Sequence, residues 1–542
     1  MKKHIFSLLV ILLFSIVGIK ALFHPGLFSA HDIWHQVARF YHYQQALNDG
    51  QFPPRWGGTM AHGFGYPLFL FSYHLPWVLG TPVYKITESV PFTIKSLFVI
   101  SYVASGFFMY QFGWELFKNR VASLLATILY LWAPYRFVTI LVSASVGTAF
   151  VFTFLPLLLW GILKTARDNS RFARATVALS LSCIILSHAM TVPFIWPLVL
   201  LFALFIIRKN PKSAWSVSWS ITLGIALAAF YLLPALYYSR FTQIATGAFA
   251  HIYQQNFVNL HQLVYSKWGY GIAQNAKDGA FSYQVGIAQW LAFAAFIGIL
   301  FSKRMTSLSK TLAWCFTFVL LGSIFAMLEF SRPIWDALTG FITLDYPTGF
   351  LLPAVFSGSI LAGFAHSSLS SRNWQTLFFI PMVVIVLYTN RNHLRVNEYT
   401  NFPTSLYVES EPTTNSYDEY LPKGVNLPQT GAQANFIAHP DVKVFNVKQN
   451  TKELSFLADI PQDAQISVRQ FAFPGVNLYV DGTPARYDKD SLGRVRFAAR
   501  AGEHNIEVRF EETPLMVFSK FVSLTALTLI ALTFFIKNEK KT

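Results

Sequence analysis

The sequence predicts a polytopic α-helical membrane protein of about 11 to 13 transmembrane helices, with an extracytoplasmic β-sandwich domain near the C-terminus and a final transmembrane helix. Of its 542 residues, 54% are hydrophobic and only 13% are charged, whereas soluble domains average about 25% charged residues. The charge is uneven, because residues 391–514 carry 16 of the 26 acidic residues and a net charge of −3, and the rest carries +19. Apolar runs long enough to cross a bilayer recur along the remainder of the chain.

Composition also narrows the classes of function. A chain this apolar is not an ordinary soluble enzyme, a disordered protein or a coiled coil. Its formal net charge of +16 would suit nucleic acid, but the excess positive charge lies between apolar runs, as in the cytoplasmic loops of membrane proteins. We therefore expect membrane lipids, and no nucleic acid, as partners.

The apolar runs give the positions of the predicted helices. Candidate spans lie at about residues 4–23, 91–117, 121–140, 144–163, 175–188, 191–207, 214–238, 285–302, 311–330, 347–369, 374–390 and 515–536. Basic loops set the orientation, because Lys and Arg are enriched on the cytoplasmic side. All seven such loops fall there when the spans alternate: Lys2/Lys3, Lys118/Arg120, Lys164 to Arg174, Arg208/Lys209/Lys212, Lys303/Arg304/Lys310, Arg372 and Lys537/Lys540/Lys541.

Two segments need a separate argument. The run 175–207 has basic loops on both sides, so it must cross an even number of times, which predicts two shorter helices meeting near Ser187-His188. The run 66–90 is rich in Pro, Gly and aromatic residues. A crossing there would invert every later loop, so we expect a re-entrant or interfacial segment. The first apolar run lacks a small-residue cleavage site and is interpreted as an uncleaved helix.

This topology divides the chain into three parts. Residues 1–390 form a transmembrane domain with large outer loops at 24–90 and 240–284, and residues 515–542 form the last helix and a basic cytoplasmic tail. Alternating side chains in 391–514 predict strands at Val442 to Val447, Gln465 to Arg469, Asn477 to Val480, Arg494 to Phe497 and Asn505 to Phe510. Cys183 and Cys315 lie in apolar runs, so no disulfide is expected.

Carboxylates are scarce in the helical part, which limits where a catalytic base can lie. Residues 1–390 contain nine, and seven of these fall outside the cytoplasm: Asp32, Asp49, Glu88, Asp278, Glu329, Asp336 and Asp345. Asp32 follows the first helix closely, at the membrane–water boundary where a lipid-linked phosphate and a polar acceptor can meet. The alternative is that Asp32 only caps a helix at 33–48.

The same outer loop is rich in histidine. His31, His35, Arg39 and His42 share one face if this segment is helical. The face suits a metal site, an anion-binding surface or interfacial side chains, although the compact ligand spacing of known metal motifs is absent and no metal is indicated. Arg39 and Arg55 are the better phosphate partners, because a guanidinium matches phosphate oxygens with two parallel hydrogen bonds.

Several motifs together resemble those of a known family. In order, they are His31-Asp32, Gly50 to Trp56, Gly63 to Phe69, Ala133 to Arg136, Leu155 to Leu157, Ser187-His188, Phe230 to Ala235, Asn256 to Val258, Trp268 to Gly271, Ser331 to Trp335, Glu419 to Pro422 and Pro474 to His504. They resemble bacterial membrane proteins of the GT-C superfamily, in particular the pyruvoyl-tetrahydropterin-synthase-related membrane family and its YfhO-like relatives. The resemblance covers nearly the whole chain.

The resemblance implies a glycosyltransferase of the bacterial cytoplasmic (inner) membrane that takes sugar from a polyprenyl-phosphate donor. The acceptor would be an envelope glycan, lipid or protein on the outer face. In that superfamily a carboxylate of the first outer loop is the catalytic base, and Asp32 matches it. Arg39, Arg55 and Arg136 would hold the phosphate, and His31 would orient Asp32 or contact the donor. No other cofactor is implied, and a divalent metal is an open possibility.

Aromatic residues of the outer loops are candidate acceptor or lid contacts. They are Trp56 and Tyr66 in the first loop and Trp268 and Tyr270, with Asp278, in the second. Aromatic rings stack on sugar faces, but the same residues also anchor proteins at the membrane interface.

The sequence departs from the family at two places. Relatives carry Arg-Gly and then Glu where this chain has Val142 to Thr148, and Phe/Tyr-Pro-Trp-Arg-Phe where it has Tyr346-Pro347-Thr348-Gly349-Phe350. These lost charges leave two alternatives open. Either the chain acts on a different substrate, or it keeps the scaffold without the reaction, as a non-catalytic assembly or binding protein of the envelope. A separate alternative, a transporter for lipid-linked saccharide, lacks the expected paired halves and intramembrane charges.

Overall fold

The computed structural model describes residues 2–272, 275–300, 305–427 and 441–535. The predicted basic positions Lys303, Arg304, Lys537, Lys540 and Lys541 lie outside these ranges. Within them the helices, numbered in chain order, are α1 Lys2–Gly18, α2 Ile33–Asn48, α3 Leu68–Phe71, α4 Leu75–Thr87, α5 Val90–Phe117, α6 Arg120–Leu131, α7 Pro134–Phe137, α8 Val146–Asp168, α9 Arg171–Ser187, α10 Val192–Lys209, α11 Ala214–Leu227, α12 Ala229–Tyr238, α13 Leu260–Val264, α14 Ile287–Leu300, α15 Ser307–Met327, α16 Arg332–Thr339, α17 Leu351–Ser367, α18 Arg372–Asn390, α19 Thr404–Ser410 and α20 Pro514–Phe535.

The strands of the described ranges form three sheets. They are β1 Leu27–Phe28, β2 Tyr399–Thr400, β3 Lys443–Gln449, β4 Glu453–Ile460, β5 Ala464–Phe471, β6 Val476–Val480, β7 Thr483–Ala485, β8 Asp488–Lys489, β9 Arg494–Ala499 and β10 Gly502–Phe510. β1 pairs with β2, and the other two sheets have the orders β3-β4-β10-β6-β7 and β5-β9-β8.

The described helices confirm a membrane protein. Six are long and apolar enough to cross a bilayer: Val90–Phe117, Val146–Asp168, Ala189–Lys209, Ser307–Met327, Pro347–Ser367 and Pro514–Phe534. Two bent pairs raise this number to eight if each pair is one span. The total is lower than the predicted number because several apolar runs form shorter helices, such as α1 and α9 with 17 residues each.

Both separately argued segments have the expected local structure. α9 ends at Ser187 and α10 begins at Val192, so the run 175–207 divides where the sequence predicts. The run 66–90 forms α3 and α4, of 4 and 13 residues. Thirteen helical residues span only about 20 Å, less than the hydrocarbon core of about 30 Å. α4 by itself therefore does not cross a bilayer.

The helical core is centred on α8 and α17. Their membrane-spanning windows are 83% and 89% buried, whereas that of the last helix is 28% buried. α20 lies at the periphery, where it packs on α11 and α12.

Within the described residues, the C-terminal β domain contains all five predicted strands and three more, β4, β7 and β8. β4 lies between β3 and β10, with Phe456 opposite Ile506. Its buried residues Leu454, Phe456, Ala458 and Ile460 alternate with more exposed ones, so the period-2 signal is present in the sequence although the prediction omits this strand.

The β domain is held against the first outer loop. The Thr451 backbone amide donates to Asp49 Oδ2 (2.8 Å), and the Phe471 amide donates to the Phe64 carbonyl (2.7 Å). The Trp56 indole, 1% exposed, stacks on Phe510 of β10 with ring centroids 5.2 Å apart. The loop therefore serves as a platform for the β domain.

This contact predicts a stability effect. Trp56→Ala should lower the free energy of unfolding by about 3 to 5 kcal/mol, because it leaves a cavity between the outer loop and the β domain. Scanning calorimetry of the solubilised chain measures the change. The control is Trp215→Ala, because Trp215 is 75% exposed. An equal loss in both variants would contradict the platform role.

Candidate functional site

The start of α2 is fixed by backbone hydrogen bonds that it donates to the segment before α8. β1 pairs with β2, and after it the amides of His31 and Asp32 donate to the carbonyls of Val142 (2.9 Å) and Ser143 (3.0 Å). Asp32 then occupies the N-cap position of α2, but its side chain makes no capping hydrogen bond. Helix capping therefore does not account for this carboxylate, which lines a cavity.

The cavity has a volume of about 190 Å³. It lies between the start of α2, the α3–α4 connection, the break between α9 and α10, the loop before α17 and the segment 411–420. Its lining comprises Asp32, His35, Arg39, Phe71, Ser72, Tyr73, His188, Ala189, Met190, Tyr231, Phe249, Asp345, Tyr346, Asn415, Ser416, Tyr417, Glu419 and Tyr420.

Arg39 is the one arginine among these lining residues. Its Nε donates to Thr414 Oγ1 (3.1 Å) and its Nη2 to the Thr414 carbonyl (2.5 Å). Burial would lower the pKa of Arg39, but Tyr73, Asp32, Tyr420 and Glu419 together raise it. The guanidinium is thus oriented by the segment 411–420 and charged, beside the carboxylate of Asp32.

Two further carboxyl groups in the cavity have a raised pKa. Burial raises the pKa of Asp345 to about 7, although backbone amides of Asp345 and Tyr346 oppose the shift. Burial also raises the pKa of Glu419, against a hydrogen bond from Asn415 and the charge of Arg39. Glu419 Oε2 is buried without a hydrogen-bond partner. Protonated carboxyls donate hydrogen bonds, so these groups can bind hydroxyl oxygens.

The histidines that were predicted to share one face of α2 have different surroundings in the structure. His35 donates from Nδ1 to Glu411 Oε2 (2.7 Å) and its Nε2 pairs with Ser416 Oγ (3.2 Å). His31 lies outside the cavity lining and donates from Nε2 to the Tyr270 carbonyl (3.3 Å). His42 is buried, which lowers its pKa to about 4. Across the described ranges, no group of three or more His, Cys, Asp or Glu side chains is arranged to hold a metal ion.

Two predicted phosphate-binding arginines lie away from the cavity. Arg55 donates from Nη2 to the Phe230 carbonyl (2.7 Å), and its Nε lies 3.9 Å from Glu512 Oε1. Arg136 is fully buried among aromatic rings, with its guanidinium carbon 4.3 Å from the centroid of Phe152. Neither arginine is among the residues that line the cavity with Asp32.

The predicted aromatic contacts also pack elsewhere. Trp56 stacks on the β domain, and Tyr66 lies behind the cavity, where its hydroxyl accepts from the Tyr420 amide (3.2 Å). Trp268 stacks on His393 at 4.4 Å, and the Tyr270 hydroxyl donates to the Arg395 carbonyl (2.7 Å). Asp278 is exposed. In this structure the part of the second loop around Trp268 and Tyr270 lies against the chain that follows α18, and Phe249 is the residue of this loop that lines the cavity.

Other lining residues are missing from the predicted site. They include Tyr73, His188, Asp345, Tyr346, Glu419 and Tyr420. The motifs Ser187-His188 and Glu419 to Pro422 contain three of them, and Asp345 is one of the seven carboxylates outside the cytoplasm. The two motifs and the carboxylate are visible in the sequence, but no local sequence pattern predicts that their segments contact α2.

Two glycines in the segments that depart from the resembled family have close neighbours. A Cβ atom at Gly349, where the resemblance would lead us to expect Arg, would lie 2.7 Å from the Phe194 ring. A Cβ at Gly147 would lie 2.5 Å from the Ser187 carbonyl. Neighbouring atoms of the protein therefore occupy the space that a larger side chain would need at either position.

Comparisons with known proteins bear on the fold. No family model matches the chain. An uncharacterized protein of Lactococcus lactis subsp. cremoris is 29% identical over 246 residues, which cover 43% of this chain and 40% of the relative. The mycobacterial arabinofuranosyltransferase AftD is similar in structure, with a TM-score of 0.50 and 13% identity over 72% of this chain and 26% of AftD.

Two weaker similarities accompany it. A mutant of the same AftD gives a TM-score of 0.48 with 14% identity, over 72% of this chain and 27% of that chain. ArnT from Cupriavidus metallidurans, bound to undecaprenyl phosphate, gives 0.38 with 12% identity, over 75% of this chain and 68% of ArnT. The chain spans less than half of the Lactococcus relative and about a quarter of AftD. It is a helical membrane protein with a GT-C-like fold.

Proposed function

We propose that this chain is a membrane glycosyltransferase that moves a sugar from a polyprenyl-phosphate donor to an acceptor of the cell envelope. The observation that carries the proposal is the meeting of Asp32 and Arg39 in one cavity. A base beside a phosphate-binding cation is the pair that this reaction needs. The GT-C-like fold supports the same reaction class.

In the proposed reaction, Asp32 takes the proton of an acceptor hydroxyl. The acceptor oxygen forms a bond to the anomeric carbon while the bond from that carbon to the phosphate oxygen breaks. Polyprenyl phosphate leaves with the electron pair, and Arg39 stabilises its charge. Asp345 and Glu419, when neutral, donate hydrogen bonds to sugar hydroxyls, and Tyr346 and Tyr420 offer aromatic faces to the ring.

The charge distribution supports an extracytoplasmic site in a bacterial inner membrane. With Lys2 and Lys3 on the cytoplasmic side, α1 leads outward to Asp32. Residues 391–514 then lie outside, 1–390 form the transmembrane domain, and 515–542 return the chain to the cytoplasm. The outer segment also contributes Glu419 to the cavity, so it belongs to the proposed site.

Sugar transfer from a radiolabelled polyprenyl-phosphate donor tests the function. Membranes that contain the chain should release polyprenyl phosphate and label an envelope fraction, and membranes without it should not. If the chain binds donors but transfers sugar from none of them, it is a non-catalytic binding protein. The close contact of Gly349 with Phe194, which leaves no room for a charged side chain there, is compatible with that alternative. Movement of intact donor across liposomes would indicate a transporter.

The pH dependence of donor use tests Asp345. With a pKa of about 7, this carboxyl becomes negative as pH rises through neutrality, while a phosphodiester donor keeps a constant charge. We expect the KM for donor to rise about fivefold or more across that transition, because like charges then face each other. Asp345→Asn should make the KM independent of pH, and an unchanged profile would contradict the assignment.

The stability of the folded state should also depend on the titration of Asp345. An unfolded chain releases this proton near pH 3.9, so the native state binds it more tightly. The neutral carboxyl therefore stabilises the fold fully below about pH 4, and this contribution is lost as pH rises towards about 7. Asp345→Asn should raise the melting temperature relative to wild type at pH 8 more than at pH 5.

A further inference from the structure

A second cavity lies between the C-terminal end of α10 and the first half of α15. It has a volume of about 350 Å³ and is lined by Phe205, Arg208, Lys209, Thr311, Trp314 and Phe318. Two of these six residues are cations and none of the six is a carboxylate. The groove thus combines an apolar wall with an uncompensated positive rim.

Sequence spacing explains the shape of the groove. Thr311, Trp314 and Phe318 are three and four residues apart, so they share one face of α15. The Trp314 and Phe318 rings stack at 5.6 Å, and these side chains are 39% and 53% exposed. Lys209 Nζ donates to Ser307 Oγ (2.9 Å), which joins the two helix ends above the aromatic wall.

The groove lies about one membrane thickness from the cavity that contains Asp32. His188, Ala189 and Met190 line that cavity just before α10 begins. α10 has 18 residues, which rise about 27 Å, close to the hydrocarbon thickness of about 30 Å. The two sites therefore serve opposite leaflets, and the head group of one lipid cannot occupy both.

We propose that this groove binds an anionic phospholipid of the leaflet opposite the Asp32 cavity. Both helices belong to candidate membrane spans, so an outward-facing groove between them is in contact with lipid. Trp314 and Phe318 hold an acyl chain, while Arg208 and Lys209 bind the phosphate of the head group. Basic pockets between helices near the cytoplasmic surface suit anionic head groups by charge.

Native mass spectrometry of the full chain tests this site, with equal amounts of phosphatidylglycerol and phosphatidylcholine in the micelles. Wild type should retain phosphatidylglycerol preferentially. The double variant Arg208→Gln/Lys209→Gln should bind it about 25-fold more weakly, because each basic side chain at an anionic surface contributes about fivefold. The control Lys212→Gln/Arg372→Gln removes the same charge from exposed positions outside the groove and should retain the preference.

Salt provides a second measurement that needs no variant. The preference of wild type should shrink at about 1 M salt, where the screening length falls to about 3 Å. Equal retention of both lipids, or an unchanged preference in the Arg208/Lys209 variant, would overturn the proposal. Retention of polyprenyl phosphate without phosphatidylglycerol would also overturn it and would identify a carrier-lipid site instead.

Discussion

Asp32→Asn should lower the rate of sugar transfer by about 10²- to 10⁴-fold, the usual contribution of a general base. Asparagine has nearly the same size and cannot accept the proton of the acceptor hydroxyl. The Asp32 side chain makes no capping hydrogen bond to α2, so the substitution removes no helix cap. The melting temperature should therefore change little while transfer is lost.

Asp278→Asn is the matched control for this prediction. Asp278 is an exposed carboxylate that lies outside the cavity lining. Its substitution should leave transfer within a factor of about two, as expected for a surface change. Transfer at the wild-type rate by Asp32→Asn would remove Asp32 as the base. Donor binding, measured separately, should survive because Arg39 is retained.

The sequence predicts best what depends on local pattern. The helix expected at 33–48 is α2, with bounds Ile33–Asn48, and the run 175–207, for which charge parity requires an even number of passes, divides after Ser187. Asp32 and Arg39 are seven residues apart, two turns of one helix, so their shared face is also a local property. These two are the members of the predicted site that line the cavity.

Tertiary contacts explain why other predicted residues lie away from the cavity. Arg55 and Arg136 have the right chemistry for phosphate, but Arg55 contacts Phe230 and Glu512 from elements distant in sequence, and Arg136 packs on Phe152 of α8. Glu419 enters the cavity for the same kind of reason, since Arg39 holds its segment through Thr414. Neither the hydrophobic period nor the residue spacing in the sequence predicts such contacts between segments.

The packing at Gly349 excludes a larger side chain at that position. Phe194 lies where such a side chain would begin. A charged side chain could enter only if Phe194 moved. Arg39, the one arginine among the lining residues, is therefore the group proposed to stabilise the charge of the leaving phosphate.

Arg39→Gln should therefore lower kcat/KM for the donor by about 10²- to 10³-fold, as removal of a group that stabilises transition-state charge does. Arg39→Lys should recover only part of this loss, because an ammonium keeps the charge without the planar pair of donors. The control is Arg240→Gln, because Arg240 is exposed and lies over the Tyr237 ring, outside the cavity lining.

A purely structural role for Arg39 is separable from phosphate binding, although Arg39 also holds Thr414. If Arg39 binds the leaving group, inhibition by the product polyprenyl phosphate should weaken in Arg39→Gln and recover partly in Arg39→Lys. If it only positions the segment 411–420, kcat should fall while the inhibition constant of the product stays unchanged. That second outcome would leave Asp32 as the base and remove Arg39 from the phosphate site, because a charge that touches the leaving group must affect the affinity for it.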